Sequence, residues 1–411
     1  LERIIAGIDV GTTKICTVVA EVDADDRAHV IGIGQAPAAG MRKGLVVDVE
    51  AAAQAIAAAV EQAARVSGYV IEQALVGVTG EHIASLNGHG MVAITQSDHI
   101  VTPTDVHRVL AAAQAIEIPN NRQIIHVVSR GYRLDGHNGV RDPIGMQCYK
   151  LEADAHIVTG ATASLQNLVR CVEKAGVRVE ELVLEPLASA EAVLTPAERE
   201  MGVILADIGG GTTDLVIFVE GSVAYTAVLP VAGTQFTNDL AVVLRTPFAT
   251  AEEIKIQHGH TLPELIPSES TVSVRAFGDD ESQIVPRRYV SEILEARTME
   301  LLSLIQAEVE KAGYSNLLPA GLVLCGGGAQ LTGLRELSRA MLALPVRIGV
   351  PQGLDGLVEV IRGPAYATTA GLLLWGTRHG HRMQDGLLNG NGHSERIVER
   401  FLKWLKRALL P

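Results

Sequence analysis

The sequence predicts an α/β protein of two related lobes, with a small α/β subdomain inserted in the first lobe and an amphipathic helix at the C-terminus. Three observations predict it: a glycine turn that occurs twice, a change of pattern between residues 83 and 160, and a basic apolar segment after a polar stretch.

The first turn reads Gly7-Ile8-Asp9-Val10-Gly11-Thr12-Thr13-Lys14 and the second Asp207-Ile208-Gly209-Gly210-Gly211-Thr212-Thr213-Asp214. Each lies between an apolar run and a β-rich run, which gives strand, tight turn, strand. Glycines let successive backbone N–H groups converge on phosphate oxygens. An Asp closing the first strand of each hairpin can hold a divalent ion through water, and the Thr hydroxyls add donors. Asp9 and Asp207 are the expected metal partners, through water. Gly11, Thr12, Thr13 and Lys14 form one expected phosphate site, and Gly209, Gly210, Gly211 and Thr212 the other. Two copies imply two halves closing on one nucleotide.

Along the chain, residues 1–82 read as the first lobe: the hairpin, a strand near His29 to Ile33, an Ala-rich helix from Val49 to Val66, and a strand from Leu75 to Val78. From 83 to 160 short β-type runs (Met91 to Ile94, Ile124 to Val128, Tyr149 to Leu151, Ala155 to Val158) alternate with loops. One helix among them has clear start signals, with Thr102 as N-cap, Pro103 in the first turn and Asp105 three residues after the cap. This is the expected inserted subdomain. Residues 161–200 return to the first lobe through helices at Ala163 to Lys174 and Leu187 to Leu194.

The second lobe spans 201–376, with helices at Thr234 to Leu244, Ala251 to His258 and Tyr289 to Ala312. In the last of these Ile293, Leu294, Leu301, Leu304 and Ile305 recur at three- and four-residue spacings. The strand Leu322 to Cys325 enters a third glycine turn, Gly326-Gly327-Gly328, open to a flat ligand such as a purine-ribose. Glu252 and Lys255 share a helix face and can grip a ribose or base. Glu185, before Pro186, is a carboxylate that can position metal-bound water in phosphoryl transfer if it ends a strand near the phosphates.

Composition narrows the function. A formal charge of −13 argues against a general nucleic-acid binder. The four cysteines lie far apart and show neither metal-ligand nor disulfide-scaffold spacing. No signal-peptide pattern opens the sequence, and no apolar run reaches the ~18 residues of a membrane span.

The hairpins, Glu185-Pro186 and the Gly326 turn together resemble the actin/heat-shock-70/sugar-kinase superfamily. Within it the chain resembles, from about Ile4 to Leu374, the FtsA family of bacterial cell-division proteins. The specific motifs are Gly40-Met41-Arg42-Lys43-Gly44 with Asp48, Val231-Ala232-Gly233 through Asp239-Leu240-Ala241, and Ala251 to Gly259. The resemblance implies a two-lobed actin-like ATPase fold with ATP and Mg²⁺ between the lobes, and Gly233 among the nucleotide contacts. It further implies actin-like self-association, contacts with other divisome proteins, and docking of the C-terminal tail of the tubulin-like protein FtsZ at about 235–310. Arg287, Arg288 and Arg297 are the acidic-tail partners expected there. ATP turnover is expected to be slow at most, and the role that of a structural adaptor. A pilus-assembly adaptor and a small-molecule kinase on the same fold are the alternatives.

The tail favours the division protein. Residues 377–394 read as a flexible linker, and 395–411 as a membrane-targeting helix. Ile397, Phe401, Leu402, Leu405 and Leu409 fall on one helical face with Trp404 at its edge, while Lys403, Lys406 and Arg407 lie opposite. That pattern suits the interface of an anionic bilayer, on the cytoplasmic side of the cell membrane at the mid-cell division site. Each basic residue near an anionic leaflet contributes ~1 kcal/mol, whereas ordering backbone costs ~1–2 kcal/mol per residue. One tail therefore binds modestly, and many on a filament bind tightly.

Overall fold

The computed structural model describes residues 3–277 and 282–389, with side chains described as far as His379. Two sheets of the same design face each other. In the first lobe, strand Arg3–Val10 turns back as Lys14–Val22 and again as Ala28–Pro37, all antiparallel. On its other side Arg3–Val10 takes Gln73–Val78 and then Arg178–Leu184 in parallel. The short strand Asp355–Gly356 completes a six-stranded sheet. The second lobe repeats this plan. Val203–Ile208 pairs antiparallel with Thr213–Val219, which pairs with Ser222–Leu229, and takes Gly321–Cys325 and Val346–Ile348 in parallel.

These strands are continuous apolar runs because both faces are covered. Ile8, Ile15, Ile204, Leu205, Leu215 and Ile217 are fully buried. Helices Glu185–Val193 and Ala367–Asn389 pack together between the sheets, Gly371 allowing the close approach: a Cβ there would lie 1.9 Å from Ala188 O. Helix Val49–Ser67 covers the first sheet. Its N-cap is Asp48, which accepts from Glu50 N at 3.0 Å and Ala51 N at 3.1 Å. The Asp after the Gly40–Gly44 motif thus starts a helix.

The insertion is a four-stranded antiparallel sheet in the order Ala84–Ala93, Lys150–Ala161, Arg122–Leu134, His137–Val140, with helix Pro103–Ala113 on one face. The expected capping box is present: Thr102 and Asp105 bond each other's backbone N–H groups. The runs at Tyr149 to Leu151 and Ala155 to Val158 merge into one strand that begins at Lys150. Pairing on both sides carries it through the polar Glu152 and Asp154, with register shifts at Asp154/Ala155 and Val158/Thr159.

Residues 235–310 hold helices Gly233–Val243 (at their start), Phe248–His258 and Arg287–Ala312, and a hairpin of Thr271–Val274 with Gln283–Pro286. Leu294, Leu301 and Ile305 are buried, with Ile293 and Leu304 packed beside them. Helix Ala367–Asn389 runs past Gly376 into the stretch expected as linker, which therefore does not begin at Thr377. The Thr377 hydroxyl donates to Leu374 O at 2.8 Å, and His379 stacks on Trp375 at 4.0 Å, so the apolar helix face continues one more turn. Residues 395–411 lie outside the described residues.

Candidate functional site

The two glycine turns meet. Gly11 N donates to Lys14 O at 3.1 Å, and Gly209 N to Thr212 O at 2.9 Å, closing both hairpins identically. A Cβ on Gly210 would fall 2.5 Å from Thr13 Cγ2, and one on Gly211 2.5 Å from Thr12 Oγ1. Only glycine permits that approach. The second turn is braced from behind by the start of helix Gly233–Val243, where Gly233 N donates to Gly209 O at 3.0 Å and Thr234 N to Gly210 O at 2.7 Å.

Between the lobes lies a cleft of about 1010 Å³. Its lining includes every residue expected to bind phosphate, base or metal: Asp9, the 11–14 turn, Glu185, Asp207, the 209–212 turn, Gly233, Glu252, Lys255 and the 326–328 turn. Phe248, Ile256 and Tyr366 add apolar surface. Glu252 and Lys255 form an ion pair at 2.8 Å on the helix face turned to the cleft. The Lys255 ammonium also donates to Gly233 O at 3.1 Å and Thr237 Oγ1 at 2.9 Å. The third glycine turn has a structural duty beside its open face. Gly326 has φ +82°, and a Cβ there would lie 2.4 Å from Asp207 Oδ1.

The electrostatics are lopsided. Asp9, Glu185, Asp207 and Asp214 are all buried at the cleft floor. The Thr369 hydroxyl donates to Asp9 at 2.8 Å, and Ser189 and Thr368 donate to Asp207 at 2.5 and 3.1 Å. Thr79 reaches across from the first lobe to Asp214. Burial raises the pKa of all four, reinforced for Glu185 by Asp9, Asp214 and Asp207; Asp214 is raised to about 7. Glu185 Oε1 is buried with no hydrogen-bond partner. The Lys14 ammonium is held by Ala365 O at 2.7 Å and lies 3.3 Å from the Tyr366 ring centroid.

Buried carboxylates with so little counter-charge fit a cation. Among the described residues no three His, Cys, Asp or Glu side chains are placed to hold one directly, so these carboxylates fit a hydrated divalent ion.

Sequence reasoning missed Asp214, Thr79, Ser189, Thr368, Thr369 and Tyr366. Asp214 had a signal: it ends the second motif, and the hairpin register sets it opposite Asp207, as Cys16 stands opposite Asp9. The others come from distant elements and had none. Of the arginines expected on the partner face, Arg297 is occupied by Asp239, at 2.5 and 2.9 Å. Arg287 Nε donates to His258 O at 2.8 Å, and Arg288 forms an exposed pair with Glu292.

Duplicated sheets closing on a glycine-lined cleft define the actin-like ATPase fold. Among solved structures, the chain is similar to a PilM–PilN type IV pilus biogenesis complex (TM-score 0.66, 17% identity, 91% of this chain and 98% of that one). It is also similar to MreB5 of Spiroplasma citri bound to AMPPNP (TM-score 0.55, 14% identity, 93% and 99%). These likenesses show the fold alone.

Family models for cell division protein FtsA and for the SHS2 domain inserted in FtsA match residues 204–371 and 80–159. The cell division protein FtsA of Pseudomonas aeruginosa is 43% identical over 98% of each chain. That of Neisseria meningitidis is 38% identical over 90% of each, and that of Escherichia coli 33% over 98% of this chain and 96% of its own. The chain belongs to the FtsA family, and its role is an actin-like one in cell division.

Proposed function

We propose that the protein is an ATP-binding, filament-forming adaptor that tethers FtsZ to the inner face of the cytoplasmic membrane and helps recruit the division machinery. The observation that carries the nucleotide part is the meeting of Gly210 and Gly211 with Thr13 and Thr12 beneath a cleft with a buried, under-compensated carboxylate group. The N–H groups of both turns would hold the phosphates, and Asp9 and Asp207 the Mg²⁺ through its water. Glu252, Lys255 and the Gly326–Gly328 turn would hold ribose and base.

When bound, ATP·Mg²⁺ supplies a triphosphate and a counter-charge that both lobes share. Glu185 would orient a water at the cation; burial and the neighbouring Asp9, Asp214 and Asp207 raise its pKa, which weakens it as a base and suits slow turnover at most.

Membership of a division family and an actin-like fold support self-association into filaments. The inserted subdomain would supply a contact between protomers, and residues 235–310 the site for the FtsZ tail. Among the described residues no helix is long and apolar enough to cross a membrane. Attachment is therefore assigned to the basic apolar segment 395–411, with anionic lipid as its surface. Liposome co-sedimentation of full-length and tail-deleted protein, with and without ATP, tests the reading. ATP-enhanced pelleting of the full chain alone is expected; equal pelleting of the deleted form overturns the membrane assignment.

A further inference from the structure

The inserted sheet touches both lobes through buried histidines on one face. His126 and His156 sit on neighbouring strands, His126 opposite Val158 and His156 opposite Val128. The His126 ring is buried, and its Nε2 accepts from Leu184 N at 3.0 Å, directly before Glu185 at the cleft floor. The His156 ring is 1% exposed and bridges the other way. Its Nδ1 lies 2.9 Å from Asn87 Oδ1 and its Nε2 3.0 Å from Thr226 Oγ1, in the third strand of the second lobe. With Nδ1 donating to Asn87, Nε2 accepts from the Thr226 hydroxyl.

Two further ties join the inserted sheet to the second lobe: Ser85 Oγ donates to Thr226 O at 2.9 Å, and Arg130 to Tyr314 Oη at 2.9 Å. Just before that lobe, Arg141 donates to Glu200 at 2.6 Å. The last is exposed on both sides and counts for little. The His156–Thr226 contact is the buried one, where a lost partner strands a polar atom away from water.

We propose that the inserted subdomain is a latch on lobe rotation, fastened to the first lobe at His126–Leu184 and to the second at His156–Thr226. A sheet pinned to both lobes cannot stay fully seated while the lobes turn about the helices Glu185–Val193 and Ala367–Asn389. Closing the cleft and seating the subdomain are then one equilibrium, and whatever shifts one shifts the other by the same factor. The coupling to nucleotide rests on the reading of the cleft given above; the latch itself does not.

The test uses the full chain with Glu117→Cys and Glu310→Cys carrying spin labels, since both sites are exposed and the four native cysteines are buried. In ligand-free protein the label-to-label distance distribution is expected to be narrow in the parent and in Thr226→Ser, and broad in Thr226→Val. Arg141→Ala, a surface change that keeps the fold, is expected to broaden it slightly. A narrow distribution in folded Thr226→Val overturns the latch, whether or not ATP binds.

Adding ATP·Mg²⁺ tests the coupling. The parent distance is expected to shift, and Thr226→Val is expected to change ATP affinity by about five-fold or more. An unchanged affinity in Thr226→Val overturns the coupling. A parent chain that binds no ATP overturns the cleft reading and leaves the ligand-free distances to decide the latch.

Discussion

Gly210 and Thr13, from opposite lobes, stand so close that a Cβ on the glycine would overlap the threonine methyl at 2.5 Å. This contact bears on closing the cleft directly, because the same two turns would hold the phosphates.

Gly210→Asp places both bulk and negative charge at that contact. Overpacking costs about 1–3 kcal/mol, which taken from binding is about a five- to 150-fold loss of affinity, and a carboxylate beside phosphate adds repulsion. Titration calorimetry with ATP·Mg²⁺ is expected to show no binding for Gly210→Asp and weakened binding for Gly210→Ala. Normal binding by the Asp variant refutes the site.

Glu185→Gln replaces an ionisable carboxyl at the cleft floor while keeping its shape. Because Glu185 Oε1 has no partner and its pKa is raised by burial and by its neighbours, the amide relieves a penalty. Differential scanning calorimetry at pH 8 in EDTA is expected to give a higher Tm for the variant. The gain in Tm from ATP·Mg²⁺ is expected to shrink. A lower Tm in EDTA means the carboxylate is stabilised by something other than a cation.

Stability is expected to depend on pH through two opposite slopes. Asp214 is raised by burial to about 7, so between its ordinary 3.8 and 7 the folded state holds a proton that the unfolded chain has lost. That contribution fades as pH rises across this window and is gone above it, and Asp9, Asp207 and Glu185 act in the same direction. His126 and His156 are lowered by burial to about 4, so the unfolded chain gains their protons first as pH falls below 6.5. Thermal melts from pH 4.5 to 9 check both slopes. Mg²⁺ is expected to flatten only the carboxylate slope, since a cation takes over the proton's place among the carboxylates.

The sequence made the duplicated hairpins legible because their chemistry is local: glycines, threonines and the Asp register within eight residues. Helix starts at Thr102 and Asp48 were legible or half so for the same reason. Asp214 was written in the motif, but its partner Thr79 lies in the other lobe, and no spacing rule reaches that far. Ser189, Thr368 and Thr369 enter the site because two helices cross between the sheets. Thr377 read as loop because its neighbourhood is polar, whereas the structure continues the helix on the strength of Trp375 and His379 packing.

The last expectation concerns the segment from Glu395 to Leu410. As an isolated peptide of sixteen residues it is marginal for a lone helix in water. On anionic vesicles it is expected to gain helical circular dichroism, with Trp404 fluorescence shifting to the blue as the ring enters the interface. High salt is expected to weaken binding only partly, because screening removes the Lys403, Lys406 and Arg407 attraction but leaves apolar burial. Replacing Phe401 and Trp404 together with Glu is expected to release the full chain from vesicles while ATP affinity stays unchanged, because every residue assigned to nucleotide lies outside this segment. If the double variant still co-sediments, the segment docks on protein and the membrane anchor lies elsewhere.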